Sequence, residues 1–330
     1  MPKKQLVKIG VSVFLLGLLF FWTDVEQFRN AVKNAKFSYF FYVFILVYLN
    51  RILMPVKWNF LLNAINIRIS WFESVKIYFI SSFLGFFLPP TVGADAVRAY
   101  QVHKEKHPLS DIISSIIIER VLGLIALLLF ALGGCTVFIY TFSEISIDFG
   151  ILLGILLIAS PVLIGLFILS LHKEWMRRVG NILLRYHKVR ILGMFAKIIK
   201  TALDSYIYYA DQKKVLLLFF LLTLVEVAMM ILISYLIALA FAIDVSLIYF
   251  FAFVPIILLF VRLPISFDGF GIHEGGFIYF LSFFGVSATL AFSVGLINHL
   301  FALIGLLPGA VFYAMSGSGT RQYDSIPPAW

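Results

Sequence analysis

Long runs of apolar residues dominate the chain, and their length predicts membrane-spanning helices. Runs with few or no charges cover residues 6–22, 37–55, 112–141, 149–171, 215–243 and 288–315. A helix of about 20 apolar residues crosses a hydrocarbon core of about 30 Å. The pattern therefore predicts an all-α, polytopic helical membrane protein with six full spans. Because no small-residue cleavage pattern follows residue 22, the first run is interpreted as an uncleaved span.

Two further apolar segments, 72–100 and 247–286, are interrupted where proline and glycine cluster. Proline removes a backbone donor and breaks a helix, while glycine adopts backbone shapes that other residues avoid. At membrane depth, irregular backbone survives only where it is buried in protein or lines a wet cavity. We therefore expect 88–95 and 264–274 to approach each other and line one polar cavity. The residues expected to form these structural breaks are Pro89, Pro90, Gly93, Pro264, Gly269 and Gly271.

Similar flanking spans around the two breaks indicate an internal repeat. Residues 1–330 are expected to form one transmembrane domain, with halves at about 37–141 and 215–315. If both broken segments are re-entrant, the halves are inverted repeats, and paired broken segments are typical of a transporter site. The alternative is that 247–264 and 270–286 each cross the membrane fully.

Basic residues concentrate between the fourth and fifth spans and set the predicted orientation. The connector 172–214 carries ten Lys and Arg residues, whereas loops 142–148 and 242–247 carry none. Because positive charge stays on the cytoplasmic side, the connector and both termini are predicted to face the cytoplasm of a cytoplasmic (inner) membrane protein. Apolar positions within the connector recur at helical spacing, which predicts amphipathic helices in the headgroup region. This topology places the first loop, which precedes residue 37, on the outside. That placement fits poorly, because the loop is basic.

Composition agrees with a membrane protein and narrows the classes of partner. Hydrophobic residues make up 62% of the chain and charged residues 13%, against about a quarter charged in soluble domains. The net charge of +9 lies between spans, where it meets lipid headgroups, so no nucleic-acid partner is expected. The chain has one cysteine and neither Cys/His metal spacing nor a HExxH motif. No metal or cofactor is therefore expected, and no motif specifies an enzyme.

Charged and polar side chains inside the apolar segments are the candidate lipid- or substrate-binding residues, because charges within a membrane are costly and usually functional. They are Arg51, Asp95, Arg98, Glu119, Arg120, Glu226, Arg262, Ser266, Asp268, His273 and Glu274. One interpretation is mutual ion pairing that holds the helices together. The other is a polar cavity in which arginines bind phosphate and carboxylates bind an amine or carry protons.

Three predictions concern individual side chains in this set and near it. Arg120 and Glu274 are expected to matter most for function. Arg120 should find a partner on another helix, with Asp95 or Glu274 as candidates. Lys57 is interpreted as a residue that reaches the interface by snorkelling, and His299 lies inside the last span.

Together these motifs resemble one known family. The elements that carry the resemblance are Asn50-Arg51 with Lys57-Trp58, Leu88-Pro89 through Gly93, Asp95 and Arg98, Glu119-Arg120, and Pro264, Ser266, Gly269, Gly271 and Glu274. Over nearly the whole chain, they resemble the lysylphosphatidylglycerol synthase transmembrane family, the membrane region of bacterial multiple peptide resistance factors. Asp268, His273 and His299 depart from the residues common in that family.

The resemblance implies flippase-like translocation of a phospholipid or a polyprenyl-linked lipid. The sequence as given leaves no room for a synthase domain after the last span, so a translocator is expected rather than an enzyme. Membrane lipids, together with a lipid-synthesising or glycosyl-transferring enzyme, are the implied partners. The alternatives are a membrane-embedded glycosyltransferase, or an accessory subunit of one, and a small-solute secondary transporter.

Overall fold

The structure is a computed structural model, and it shows a helical membrane protein. It describes residues 3–21, 24–88, 93–104, 107–141, 147–170, 172–175, 178, 206–263 and 265–317. These ranges contain α-helices and one short 3₁₀ helix, and none of them contains a strand. The predicted all-α fold class is therefore confirmed.

The helices follow the apolar runs of the sequence. The N-terminal part contains α1 (Lys3–Phe21), α2 (Val25–Lys33), α3 (Phe37–Ala64), α4 (Trp71–Phe87), α5 (Gly93–Lys104), α6 (Leu109–Thr141) and α7 (Ile147–Ser170). The C-terminal part contains the 3₁₀ helix (Tyr209–Asp211), α8 (Lys213–Ala240), α9 (Leu247–Val261), α10 (Ile272–Ser282), α11 (Ala288–Ile304) and α12 (Leu307–Gly317).

Four segments are long and apolar enough to cross a membrane: α3, α6, α8 and the α11–α12 segment from Ala288 to Ser316. The first and fourth predicted spans are also helical, as α1 and α7, and contain the shorter apolar stretches Gly10–Leu19 and Gly154–Ser170. The last predicted span is not one continuous helix, because a turn at residues 305–306 separates α11 from α12.

Apolar side chains cover much of the outer surface of these helices. Phe14 of α1, Ile158 of α7 and Leu217 of α8 are each more than half exposed. Large apolar surfaces in contact with water are unfavourable and mark sites of association. Lipid chains would cover this surface, so it agrees with a membrane location.

Hydrogen bonds at the helix ends show that α3 and α8 run antiparallel. The Lys36 N–H at the start of α3 donates to the Ala240 carbonyl at the end of α8, over 2.9 Å. At the opposite end, the Tyr209 hydroxyl donates to the Leu61 carbonyl, also over 2.9 Å. The basic first loop therefore lies at the same end of the molecule as loop 242–247, as the predicted topology requires. Which end faces the cytoplasm stays a prediction.

Each broken segment forms a helical hairpin that enters and leaves at one end of the molecule. The first hairpin is α4–α5 and the second is α9–α10. Their second arms have 12 and 11 residues, or about 18 and 16 Å, which is too short for a core of about 30 Å. The short second arms therefore favour re-entrant hairpins over the alternative of two full crossings within 247–286. Because α3 and α8 are antiparallel, the hairpins that follow them enter from opposite ends.

Helix packing relates the two halves in the way expected for inverted repeats. The spans α3 and α8 pack along each other. The span α6 of the first half packs on α9 of the second hairpin, and α12 of the second half packs on α4 of the first hairpin. Each hairpin is thus held by the span that ends the opposite half.

The described residues of the connector lie toward its two ends. Lys173 Nζ lies 2.5 Å from Asp211 Oδ2, so an ion pair joins the start of the connector to its end. The amphipathic helices predicted between these ends fall at 179–205, outside the described residues, as do most of the 142–148 loop and the C-terminal residues after 317.

Candidate functional site

The tips of the two hairpins meet around a cavity of about 340 Å³, here called the central cavity. Asp95 of the first hairpin and Ser266 and Asp268 of the second lie in its wall, together with Arg51 of α3 and Arg120 of α6. The Phe86 and Phe267 rings, one from each tip, pack edge to face with centroids 5.6 Å apart. The expectation that both breaks line one polar cavity is therefore confirmed.

The second break depends on residues with left-handed backbone conformation. The φ angles of Asp268, Gly269 and Gly271 are 50°, 79° and 84°. Glycine adopts such angles without strain, and aspartate tolerates them better than most residues. A Cβ atom on Gly271 would also lie 2.4 Å from Leu15 Cβ, so glycine lets α1 pack against the break.

The first break uses its glycine for close packing instead. The φ of Gly93 is not positive, but a Cβ atom there would lie 2.4 Å from Leu88 Cβ. Gly93 therefore allows α5 to start directly beside the end of α4. The prolines expected at the two breaks, Pro89, Pro90 and Pro264, lie outside the described residues.

Asp95 is the centre of a charge network between α5 and α6. Arg120 donates to it through Nε to Oδ2 at 3.0 Å and Nη2 to Oδ1 at 2.9 Å, and Arg98 donates through Nη2 at 3.1 Å. Arg98 Nη1 also lies 2.7 Å from Glu119 Oε2, and the Tyr78 hydroxyl donates to Glu119 Oε1. Two arginines thus face two carboxylates, and the formal charges cancel. The predicted Arg120–Asp95 partnership is confirmed, whereas Glu274 is not a partner of Arg120.

A second buried ion pair joins α3 to α8 away from the central cavity. The Lys57 ammonium contacts the Glu226 carboxylate and donates to Thr223 Oγ1 at 3.0 Å. Only 3% of Lys57 is exposed, so the interpretation of Lys57 as a snorkelling residue is wrong. Its carboxylate partner lies on the facing helix and replaces the solvation that the interface would have supplied. Glu226, a candidate substrate-binding residue, is occupied by this pair.

Arg51 differs from the other buried or half-buried cations. Its Nη2 donates to the Ala302 carbonyl at 3.2 Å, and no carboxylate of the described residues pairs with it within 4.0 Å. Arg51 lies in the wall of the central cavity and of a second cavity of about 340 Å³, which also contains Asp268, His273 and His299. It therefore presents a guanidinium without a close ion-pair partner where the two cavities meet, and the Asp268 carboxylate of the same walls interacts with it only at longer range.

Glu274 is completely buried beside the second cavity and does not line the central one. One carboxylate oxygen accepts a hydrogen bond from the Gly271 N–H at 2.7 Å and caps the start of α10. The other lies 2.8 Å from His299 Nδ1. His299 was not among the expected binding residues. The only signal for it in the sequence was an ionisable side chain inside an apolar span.

Another predicted site residue lies outside both cavities, and two residues of the central cavity were not predicted. Arg262 is exposed at the end of α9 and lines neither cavity, although it was a candidate. Tyr78 and Ser81 of α4 lie in the wall of the central cavity and were not expected there. Their hydroxyl groups were hidden within an apolar run, which by itself carries no sign of a polar surface.

Comparison with known proteins agrees with this architecture. The chain is 24% identical over 173 residues to a protein of Pyrococcus horikoshii (strain ATCC 700860) named UPF0104 membrane protein PH1989. That alignment covers 52% of this chain and 49% of the relative, so it spans about half the relative's length. The family described as the lysylphosphatidylglycerol synthase TM region matches residues 5–309, which include both hairpins and all residues of the central cavity. The chain therefore belongs to the lysylphosphatidylglycerol synthase TM region family.

Proposed function

We propose that this protein translocates a lipid with a phosphate-bearing headgroup across the cytoplasmic membrane, as a flippase does. The observation that carries the proposal is the guanidinium of Arg51, which lies in the wall shared by the two cavities without a carboxylate within ion-pair distance. Family membership supports a role connected with membrane lipids.

The other buried or half-buried cations of the hairpin region are each neutralised by a carboxylate. Burying a charge away from water is costly unless a partner of opposite charge is present. Arg98, Arg120 and Lys57 each have a carboxylate partner. Arg51 has no carboxylate within 4.0 Å among the described residues, and Asp268 acts on it only at longer range, so a closer anionic partner is expected from the substrate. A phosphate suits a guanidinium because the planar group donates two parallel hydrogen bonds.

A second polar group of the central cavity supports an anionic substrate. The Ser266 hydroxyl is buried, lines the central cavity and has no hydrogen-bond partner among the described residues. An unsatisfied buried polar group costs about 1–3 kcal/mol, so such groups usually have a ligand or solvent partner. A phosphate oxygen bound to Arg51 would accept the hydrogen bond from Ser266.

The size of the cavities fits a headgroup rather than a whole lipid. Each has about 340 Å³, near the lower end of the range of about 300–1,000 Å³ for small-ligand pockets. The acyl chains would therefore stay in the bilayer while the headgroup moves along the polar wall. The two hairpins enter from opposite ends of the molecule, so we expect this wall to lie between the two membrane faces.

Reconstitution tests the proposal directly. The purified chain is placed in vesicles that contain phosphatidylglycerol labelled on its acyl chain, and dithionite quenching measures how fast inner-leaflet label becomes accessible. Arg51→Ala should reduce the rate of label movement to that measured in vesicles without protein. Arg51→Lys keeps the charge but loses the planar donor pair, and we expect about a tenfold loss, equivalent to about 1.4 kcal/mol.

The control is Arg29→Ala, which removes an exposed arginine of α2 that lines neither cavity and should leave the rate unchanged. No sugar donor is present, so label movement under these conditions separates translocation from glycosyl transfer. A wild-type rate with Arg51→Ala would refute Arg51 as the phosphate-binding residue and with it the proposed mechanism.

A further inference from the structure

Three metal-ligand side chains converge at the junction of the second break and α11. His273 and Glu274 begin α10, and His299 comes from the facing helix. The His273 and His299 ring centroids are 5.2 Å apart. One ligand atom from each of the three residues lies within 4.8 Å of the other two. No metal-ligand spacing is visible in the sequence because His299 lies 25 positions from Glu274, on another helix.

The hydrogen bonds around His299 direct one of its nitrogens toward the cluster. His299 Nε2 lies 3.1 Å from the Asp268 carbonyl oxygen, and Nδ1 lies 2.8 Å from Glu274 Oε1. Metal-ligating histidines typically donate their second ring N–H to a backbone carbonyl, which fixes the tautomer and the ring orientation. With Nε2 protonated toward Asp268, the lone pair of Nδ1 faces the Glu274 carboxylate. Two acceptors at this distance require a positive ion or a proton between them.

The surroundings of His273 favour a metal ion over a proton between Glu274 and His299. Its Nδ1 is buried and has no hydrogen-bond partner among the described residues. A proton shared by Glu274 and His299 satisfies those two groups and leaves His273 Nδ1 unsatisfied. A metal ion satisfies all three, because each group offers it a lone pair.

We propose that His273, Glu274 and His299 bind one divalent transition-metal ion of the zinc type through the two Nδ1 atoms and one carboxylate oxygen. Two histidines and one glutamate are an established ligand set for zinc, with bonds of about 2.0–2.2 Å. The second carboxylate oxygen of Glu274, Oε2, would still accept the hydrogen bond from the Gly271 N–H at the start of α10. The ion would join the start of α10 to α11, and His299 Nε2 would keep its hydrogen bond to the Asp268 carbonyl.

The surroundings give the ion both access and a compatible charge. His273 and His299 lie in the wall of the second cavity, which offers a route to the site. The Asp268 carboxylate lies 4.0 Å from His299 Nε2 and adds a second negative charge nearby. Close packing holds the ligands in place, since a Cβ atom on Gly295 of α11 would lie 2.7 Å from the Glu274 Cα. Metal binding at this cluster does not depend on the proposed lipid translocation.

Metal content of the purified full chain is the first test. The protein carries a streptavidin-binding tag, because a polyhistidine tag would itself bind zinc. It is incubated with ZnCl₂ and desalted, and its zinc content is measured by elemental mass spectrometry. We expect about one zinc per chain. His273→Gln should lower zinc affinity about tenfold or more, because it removes one of the three ligands. This variant leaves the Glu274–His299 contact in place, so the fold is expected to persist.

The matched control removes two histidines outside the cluster. His103 and His107 contact each other at the end of α5, and the double variant H103Q/H107Q should keep the zinc content of the wild type. The second readout is thermal unfolding in detergent. Chelator should lower the unfolding temperature of the wild type and of the control, but not of His273→Gln.

Two results would overturn the proposal. The first is zinc content in the wild type no higher than in His273→Gln. The second is an unfolding temperature of the wild type that responds to neither zinc nor chelator, which would leave a shared proton between Glu274 and His299 as the explanation.

Discussion

Arg120 and Asp95 pair through two parallel hydrogen bonds of 3.0 and 2.9 Å, which fasten the tip of the first hairpin to α6. The planar donor face of Arg120 is thus already occupied, and a phosphate would have to displace Asp95 to use it. Arg51 has no such competitor. The geometry therefore moves the expected site of phosphate recognition from Arg120 to Arg51.

This difference predicts opposite outcomes for one substitution at two positions. Arg120→Lys retains charge beside Asp95, whose carboxylate also keeps its Arg98 hydrogen bond. We expect Arg120→Lys to keep most of the transport rate in the vesicle assay, whereas Arg51→Lys loses about tenfold. If Arg120→Lys lost as much transport as Arg51→Lys at equal folded yield, phosphate recognition would include Arg120.

The Arg120–Asp95 pair should contribute modestly to stability. About half of the Arg120 side chain is exposed, so the interaction resembles a surface pair more than a buried one. We expect a double-mutant cycle with Arg120→Gln and Asp95→Asn to give a coupling free energy of about 1 kcal/mol or less. Unfolding in detergent by a denaturant series measures it. A coupling of several kcal/mol would contradict this view of the pair.

The buried Lys57–Glu226 pair predicts a different pattern. Removing one partner leaves an uncompensated charge between α3 and α8, and breaking such a pair costs about 3–5 kcal/mol. Lys57→Met and Glu226→Gln should therefore each reduce the folded yield sharply. The double variant K57M/E226Q removes both charges and should recover much of the stability. Its transport rate should match the wild type, because neither residue lines the central cavity.

Size-exclusion profiles and unfolding temperatures of the four proteins test this prediction. A double variant as unstable as the worse single variant would show that the two side chains act through other contacts. One such contact is the Lys57 hydrogen bond to Thr223.

The hairpins could be predicted from the sequence because proline and glycine interrupt apolar runs locally. The partners of the charged residues could not. Glu226 lies 169 positions from Lys57, and His299 lies 25 positions from Glu274 on another helix. Such pairs are decided by helix packing, which the periodicity of one segment does not contain. The break between α11 and α12 was missed although Gly305 and Pro308 mark it, because both residues lie inside a long apolar run that was assigned as one span.

Two glycines near the second break, Gly271 and Gly275, differ in their surroundings and therefore give a matched test of stability. A Cβ atom on Gly271 would clash with Leu15 of α1, and its φ of 84° is unfavourable for other residues. Gly275 lies within α10 and has open space around its Cβ position. Gly271→Ala should destabilise the fold by about 1–3 kcal/mol, whereas Gly275→Ala should be neutral or stabilise it by about 0.5–1 kcal/mol.

Thermal unfolding of both variants in the same detergent measures the difference. Equal unfolding temperatures for Gly271→Ala and the wild type would show that the break relaxes without cost, and that α1 is not fixed against it.

Orientation in the membrane is the last prediction, and a single cysteine makes it accessible to labelling. Cys135 is buried, so Cys135→Ala is expected to fold and to provide a background without thiols. The concentration of basic residues predicts that position 190 in the connector faces the cytoplasm. Asn34 lies just after α2, at the end of the molecule where Lys36 bonds Ala240, and should face the outside. In intact cells, a membrane-impermeant maleimide should label Asn34→Cys but label Arg190→Cys only after permeabilisation. The reverse pattern would invert the topology, and labelling of both positions from one side would contradict the antiparallel arrangement of α3 and α8.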